Sequence, residues 1–414
     1  MTFRISHVCL LLGGFVAGIA LTSTGSGGFV FVVGREVLDA SYLDPAAGAT
    51  LAAVVAVLVT VLVRARRGLS ALSFAGLALL GVARSIGPWD FEMFLGGVAA
   101  GLLLGGLVGL CATADLEWLQ TALATGVLTG VLLDGPIEHL RISLPRRYAD
   151  YLPGHTVDAA ALAVLALTAV VLAVALWSGD FGERADLAVS RRAVVAGIVV
   201  PLVGLVLCWW FVHQAWDVDS DGGMQGRWVF GIVLVAVVIA AALWLQGRTG
   251  IVLLAAMALV ATGGIGRSAF PDSWPWLLLP AALSLAGAVL GRRFPQPVLG
   301  IAALAVVAAS AVFEHPPWDN LQLGAMWLLL PLAATYTFAS SLPSSGPVTA
   351  AALAIPAALT VPLVVDYGWT AYTPLTTSGT TPWPDSWGWT STGVSVAAVV
   401  AYGLTAAYLG KRTS

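Results

Sequence analysis

The sequence predicts an all-α fold: a polytopic membrane helical bundle of about 14 transmembrane helices. Three observations predict it. Hydrophobic residues make up 59% of the 414 residues and charged residues only 10%, with mean hydropathy +0.91. About fourteen apolar runs, each long enough to cross a bilayer, fill the chain. The short polar loops between them alternate in charge by side. In lipid every backbone N–H and C=O must be paired internally, so such runs are helices. The strict alternation of barrel strands is absent, and no segment is long and polar enough to be a separate soluble domain.

The first run, 7–33, starts behind Arg4 and carries the Gly-flanked polar patch Thr22, Ser23, Thr24 and Ser26. Either the helix is locally unwound there, exposing backbone groups to a substrate, or the span ends by residue 22. As the first helix of a polytopic chain it serves as a signal anchor. The second and third runs, 48–63 and 69–86, flank the basic loop Arg64, Arg66 and Arg67. The fourth, 93–113, carries Gly96, Gly97, Gly101, Gly105 and Gly106, a small-residue pattern that favours tight helix contact. The fifth, 118–134, places Thr121, Thr125 and Thr129 on one face, as a packing or hydrogen-bonding seam with Gly126 and Gly130. A basic-aromatic loop, 136–155, leads to the sixth run, 156–178.

A polar stretch, 179–192, precedes the seventh run, 193–215, which ends in Trp209, Trp210, His213 and Gln214. There follow runs at 228–246, 251–268, 276–291, 298–313 and 321–339. The last two, 348–365 and 393–410, enclose a loop rich in Thr, Ser, Pro and Trp. Cys9, Cys111 and Cys208 are isolated within runs, so neither a disulfide framework nor a metal cluster is indicated.

Basic residues favour the cytoplasmic side. With the N-terminus inside, 12 of the 19 Lys and Arg fall in inner loops and 17 of the 22 Asp and Glu in outer ones. This predicts a multi-pass plasma-membrane protein with both termini cytoplasmic.

Two sequence echoes predict an internal repeat. Arg84-Ser85 and Pro88 close the third run as Arg267-Ser268 and Pro271 close the ninth, 183 residues apart. Glu138-His139 follows the fifth run as Glu314-His315 follows the eleventh. The expected organisation is two parallel six-helix pseudo-repeats, 1–178 and 193–339, joined by a cytoplasmic linker at 179–192, plus two C-terminal helices in 340–414.

Six plus six helices with short inner loops after the second and eighth runs resemble the major facilitator superfamily, over about residues 1–339. The family's loop usually reads Gly-x-x-x-Asp-Arg-x-Gly-Arg-Arg. This chain has Arg64-Ala65-Arg66-Arg67-Gly68 and, in the second copy, Gln246-Gly247-Arg248-Thr249-Gly250. The Asp that helps latch the family's inner gate is missing, as is the basic residue common in the fourth helix of proton-coupled members. The resemblance implies alternating access, with Arg64, Arg66, Arg67 and Arg248 at the inner gate. It also implies that the first, fourth, seventh and tenth helices line the path.

Charges are nearly absent from the span centres, and intramembrane ionisable residues are the usual mark of ion coupling. Asp134 is the first choice of coupling carboxylate, because a closing outer gate would take it out of water. Glu138-His139 and Glu314-His315 are further coupling candidates, or simply mark helix ends. Arg84 and Arg267 either meet an anionic substrate or snorkel to headgroups. Thr22, Ser23, Thr24, Trp209, Trp210, His213 and Gln214 are the substrate-path candidates. The two Trp equally fit an aromatic belt. Asp217, Asp219 and Asp221 match the first half of a calcium loop, but Trp228 stands where the bidentate Glu is required.

No nucleotide-binding, zinc or nucleophile-elbow motif occurs, so no cofactor and no nucleic-acid partner is expected. The expected partners are membrane lipids and a small solute. The leading expectation is a secondary transporter of a neutral, amphipathic or hydrophobic small solute. The alternatives are an outer-face membrane enzyme acting on lipid-linked substrates and a non-transporting scaffold for envelope assembly.

Overall fold

The computed structural model describes residues 4–22, 43–86, 92–113, 116–141, 158–182, 190–220, 226–228, 230–263, 273–314, 316–359, 363, 365–367, 383–384 and 386–413. Among them are fourteen apolar helices. In chain order these are α1 (Ile5–Thr22), α2 (Asp44–Leu62), α3 (Arg66–Ile86), α4 (Glu92–Leu110), α5 (Leu116–Arg141), α6 (Ala159–Trp177) and α7 (Arg191–Ser220). Then come α8 (Phe230–Leu245), α9 (Gly247–Ala261), α10 (Leu278–Arg293), α11 (Pro297–Ala309), α12 (Asp319–Ser341), α13 (Gly346–Ala358) and α14 (Ser386–Thr413). Ten of these segments are long and apolar enough to cross a membrane, and α8, α9, α11 and α13 are shorter. The chain is a multi-pass membrane protein.

Every apolar run is a helix, but several limits differ from expectation. The first helix is described over Ile5–Thr22, and the rest of its apolar run, to residue 33, lies outside the described residues. Helix α5 continues past Asp134 to Arg141, carrying Pro136 within it. Pro136 removes only the donor that would meet the carbonyl four residues back, and the helix tolerates that loss. Helix α7 runs to Ser220 and takes in the first two acids of the supposed calcium loop. Asp158 caps α6, its carboxylate accepting the Ala161 N–H at 3.0 Å.

Lipid tails are as apolar as the side chains, so helices associate here by close packing. The fourth-run glycines do this along α2. A Cβ on Gly101 would stand 2.6 Å from the Ala52 carbonyl oxygen, and one on Gly105 2.7 Å from that of Ala56. Helices α1 and α5 interlock similarly: a Cβ on Gly14 would lie 2.6 Å from the Leu123 carbonyl, while Gly126 and Gly130 face the backbones of Leu11 and Phe15. The Thr121, Thr125 and Thr129 hydroxyls each donate to the carbonyl four residues earlier, at 2.7 Å. That ladder is satisfied within its own helix.

The pairing of helices has a recurring pattern. In the first part of the chain α1 packs on α4, α5 and α6, α2 on α4, and α3 on α4 and α6. In the last part α9 packs on α12, α13 and α14, α10 on α12, and α11 on α12 and α14. Eight helices separate every corresponding pair. Helices α7 and α8 stand outside the pattern: α7 lies on α2 and α13, and α8 on α7, α9 and α14. The two six-helix groups meet along α2–α13, α5–α10 and α5–α12.

This packing does not set 340–414 apart as an appendage. Helix α13 is buried throughout Pro347–Ala358, and α14 lies on α9 and α11. The two sequence echoes pair α3 with α9 and α5 with α11, which hold different places in the pattern. Arg84-Ser85 and Glu138-His139 lie near the ends of α3 and α5, where boundary chemistry alone favours Arg, Glu and His; Pro88, Arg267, Ser268, Pro271 and His315 lie outside the described residues. The strand Gly226–Trp228 pairs antiparallel with Val365–Tyr367, Gly226 opposite Tyr367.

The outward faces are apolar. Leu167 and Val170 on α6, Val206 on α7 and Leu404 on α14 are each more than half exposed, as side chains bathed in hydrocarbon are.

Candidate functional site

The first helix starts, and the last one finishes, at one end of the bundle, which we call the termini end. By the distribution of its arginines, this is the end expected from the sequence to face the cytoplasm. Each end carries a group of polar side chains that the packing brings together.

At the opposite end, α1, α3, α5 and α6 enclose a cavity of about 600 Å³. Phe15, Val16, Ile19 and Ala20 of α1 form one wall, and Ala161, Val164 and Leu165 of α6 another. Its polar lining is Arg84 from α3 and Asp134, Glu138 and Arg141 from α5. Asp134 and Glu138 stand one turn apart on the same helix face. Thr22, at the end of α1, lies beside the Asp134 carboxylate, its hydroxyl donating to the Gly18 and Ile19 carbonyls of its own helix at 3.1 Å, and Arg84 and Arg141 lie near enough to act on the Asp134 charge. Arg141 forms an ion pair with Asp158, tying the end of α5 to the start of α6. Trp274, in the 3-10 turn that leads into α10, reaches the rim from the other six-helix group.

At the termini end, a second cluster crosses the line between the two groups. Gln120 of α5 is buried and donates from Nε2 to the Ser344 carbonyl at 2.9 Å. Its Oε1 accepts the Ser344 N–H at 3.0 Å. Ser344 lies between α12 and α13, and its hydroxyl meets that of Thr349 at 2.6 Å. Arg292, in the last turn of α10, donates to the Leu342 carbonyl at 2.9 Å and pairs with Glu117, in the first turn of α5. Its guanidinium also sits 5.7 Å above the Trp118 ring. Acid at a helix start and base at a helix end both complement the helix dipoles. The two groups are therefore bolted together at this end through α5, α10 and the α12–α13 connection.

Of the arginines expected at the inner gate, Arg66 has a defined contact within its own group. Arg66 donates to the Gly182 carbonyl at 3.1 Å and lies over the Phe181 ring, so it braces α3 against the stretch after α6 within one group. Arg64, Arg67 and Arg248 are exposed. The cross-group cluster was not expected from the sequence. The available signal was Glu117, an acid on the basic side facing the Arg292-Arg293 pair.

Of the path candidates, Thr22 stands beside Asp134 at the end of α1, next to the cavity rather than in its lining. Trp209 and Trp210 are 49% and 46% exposed on α7, turned away from both groups. His213 Nδ1 lies 3.0 Å from the Trp209 carbonyl on its own helix, with the two rings 4.2 Å apart. Gln214 follows on α7, its side chain outside the described residues, as are Ser23, Thr24, Arg267, His315 and Asp221. His139 and Glu314 are exposed at helix ends. Asp217 and Asp219 lie in the final turn of α7 rather than in a loop. Among the described residues no three His, Cys, Asp or Glu side chains converge as a metal site.

No protein-family model matches the sequence, and no curated protein matches it. The structure is similar to solved structures of a major facilitator superfamily transporter at low sequence identity. The proton:xylose symporter XylE bound to 6-bromo-6-deoxy-D-glucose matches 98% of this chain and 94% of that one, with TM-score 0.45 and 12% identity. The inward open conformation of the xylose transporter XylE from E. coli matches 96% and 94%, with TM-score 0.45 and 14% identity.

Proposed function

We propose that this protein is a secondary transporter whose two moving bodies are α1–α6 and α9–α14. Helices α7 and α8 are then a pair inserted between the halves. The observation that carries the reading is the recurrence of one six-helix pairing pattern at an offset of eight helices. Two similar bundles joined face to face form a bistable hinge, which alternating access requires. The cluster of Gln120, Ser344, Arg292 and Glu117 is the latch of the state closed at the termini end. Opening there breaks these contacts while the opposite end closes.

The solute is a neutral, amphipathic or hydrophobic small molecule. Among the described residues, ionisable side chains gather toward helix ends, so the middle of the path offers no fixed counter-charge for a strongly ionic one. The test is counterflow in proteoliposomes across a panel of labelled solutes spanning those classes. Saturable counterflow of at least one, lost on cross-linking α5 to α10 through cysteines at Glu117 and Arg292, supports the carrier. Absence of flux across the panel, in protein that remains folded, removes it.

A further inference from the structure

The cavity between α1, α3, α5 and α6 lies to one side of the line where the two groups meet, so a central path does not account for it. We propose that it is a binding site for an amphiphilic cation, an alkylammonium head on a hydrocarbon tail.

Charge chooses the head. The polar lining holds two carboxylates and two guanidinium groups, but Arg141 is already paired with Asp158. With Asp158 counted, three acids face two bases among the described residues, an excess of one negative charge at a half-buried position. A single positive head restores neutrality, and an anionic one would be brought against Asp134 and Glu138. Their one-turn spacing lets both carboxylates approach the same ammonium. Trp274 stands at the rim with half its surface exposed, and an indole face favours quaternary ammonium groups.

The walls choose the tail. Phe15, Ile19, Val164 and Leu165 present an apolar surface directly below the charged end. The volume falls within the range that small-molecule sites occupy. Helix α6 forms the side nearest the lipid: Val164 itself is partly exposed, and Leu167 and Val170 beyond it face outward. An amphiphile lying in the bilayer reaches this cavity by passing one helix, head level with the helix ends and tail in hydrocarbon. The occupant touches the first group on three sides and the second through Trp274. Its binding does not depend on the protein being a carrier.

The test is equilibrium binding of tritiated dodecyltrimethylammonium to the full chain in a neutral maltoside detergent. Saturable binding of one equivalent per chain is expected, with dodecanol and dodecyl sulfate competing weakly. The double variant Asp134→Asn with Glu138→Gln weakens binding by about tenfold or more, the loss of a charge-assisted contact. Val164→Trp fills the tail space, leaves the carboxylates in place and also abolishes binding. It keeps the test open if the double variant does not fold. Equal competition by dodecanol, or unchanged affinity in a folded variant of either kind, overturns the proposal. The source of the head group is read by competition. Displacement by stearylamine, a long-chain monocation, marks a membrane amine, and displacement by benzyltrimethylammonium alone marks a free solute; either supports the site.

Discussion

Replacing Gln120 by Leu tests the latch at its most buried point. The side chain keeps a similar volume but loses both hydrogen bonds to the Ser344 backbone. Ser344 is only 8% exposed, so its N–H and C=O are left unpaired away from water. Each orphaned group costs about 1–3 kcal/mol, so the state closed at the termini end loses about 2–6 kcal/mol. The opposite state, in which this region is hydrated, loses nearly nothing. Even the lower figure, about 2 kcal/mol, changes the population ratio by about thirtyfold. Spin labels at Arg67 and Arg293, exposed at this end on different groups, report the separation by pulsed electron resonance. The three native cysteines are buried and form no disulfide, and are first replaced. Wild type should give one dominant short distance, and Gln120→Leu a second, longer population. An unchanged distance distribution in folded Gln120→Leu would refute the idea that this amide holds the two groups together.

Four other outcomes follow from the same geometry. Exchanging the partners of the ion pair, Glu117→Arg with Arg292→Glu, should recover only part of the short distance that either reversal alone weakens, since a carboxylate at position 292 cannot donate to the Leu342 carbonyl; because Glu117 is half exposed, the pair itself contributes no more than about 1 kcal/mol. Gly14→Leu, whose first added carbon meets the Leu123 carbonyl, should yield little monodisperse protein on size-exclusion chromatography. Gly393→Ala on α14, where nothing lies within 4 Å, should raise thermal stability slightly, by about 1 kcal/mol of helix propensity. Single cysteines at Arg67 and Arg412 should react with an impermeant thiol reagent only from the cytoplasmic side, and one at Trp274 only from outside; the reverse pattern would invert the assignment of the termini end.

The helices were legible because apolar run length is local information, and each run formed one. Asp134 stood out as the acid that closes the fifth apolar run, and the structure places it in the cavity lining, within α5 rather than at its end. The order of packing was not legible. It depends on which glycine meets which carbonyl, and Gly101 against Ala52 or Gly14 against Leu123 leaves no mark beyond a general excess of small residues. The Arg-Ser echo drew attention to helix ends, whose composition reflects the interface rather than position in the bundle. The latch was hidden because Gln120 binds backbone 224 residues away, and a backbone partner has no sequence signature. Helix α13 reads as an ordinary short apolar run, yet it is the element around which both groups close.

The pair α7–α8 carries a lesson about how such chains can grow. Two crossings cancel, so α9 leaves from the same face as α1, and everything downstream keeps its polarity. A single added helix would have turned the last six upside down and faced their arginines the wrong way. A hairpin is thus the smallest unit that can be spliced into this architecture without rewriting the remainder, and its outward Trp209 and Trp210 show a segment free to acquire duties of its own.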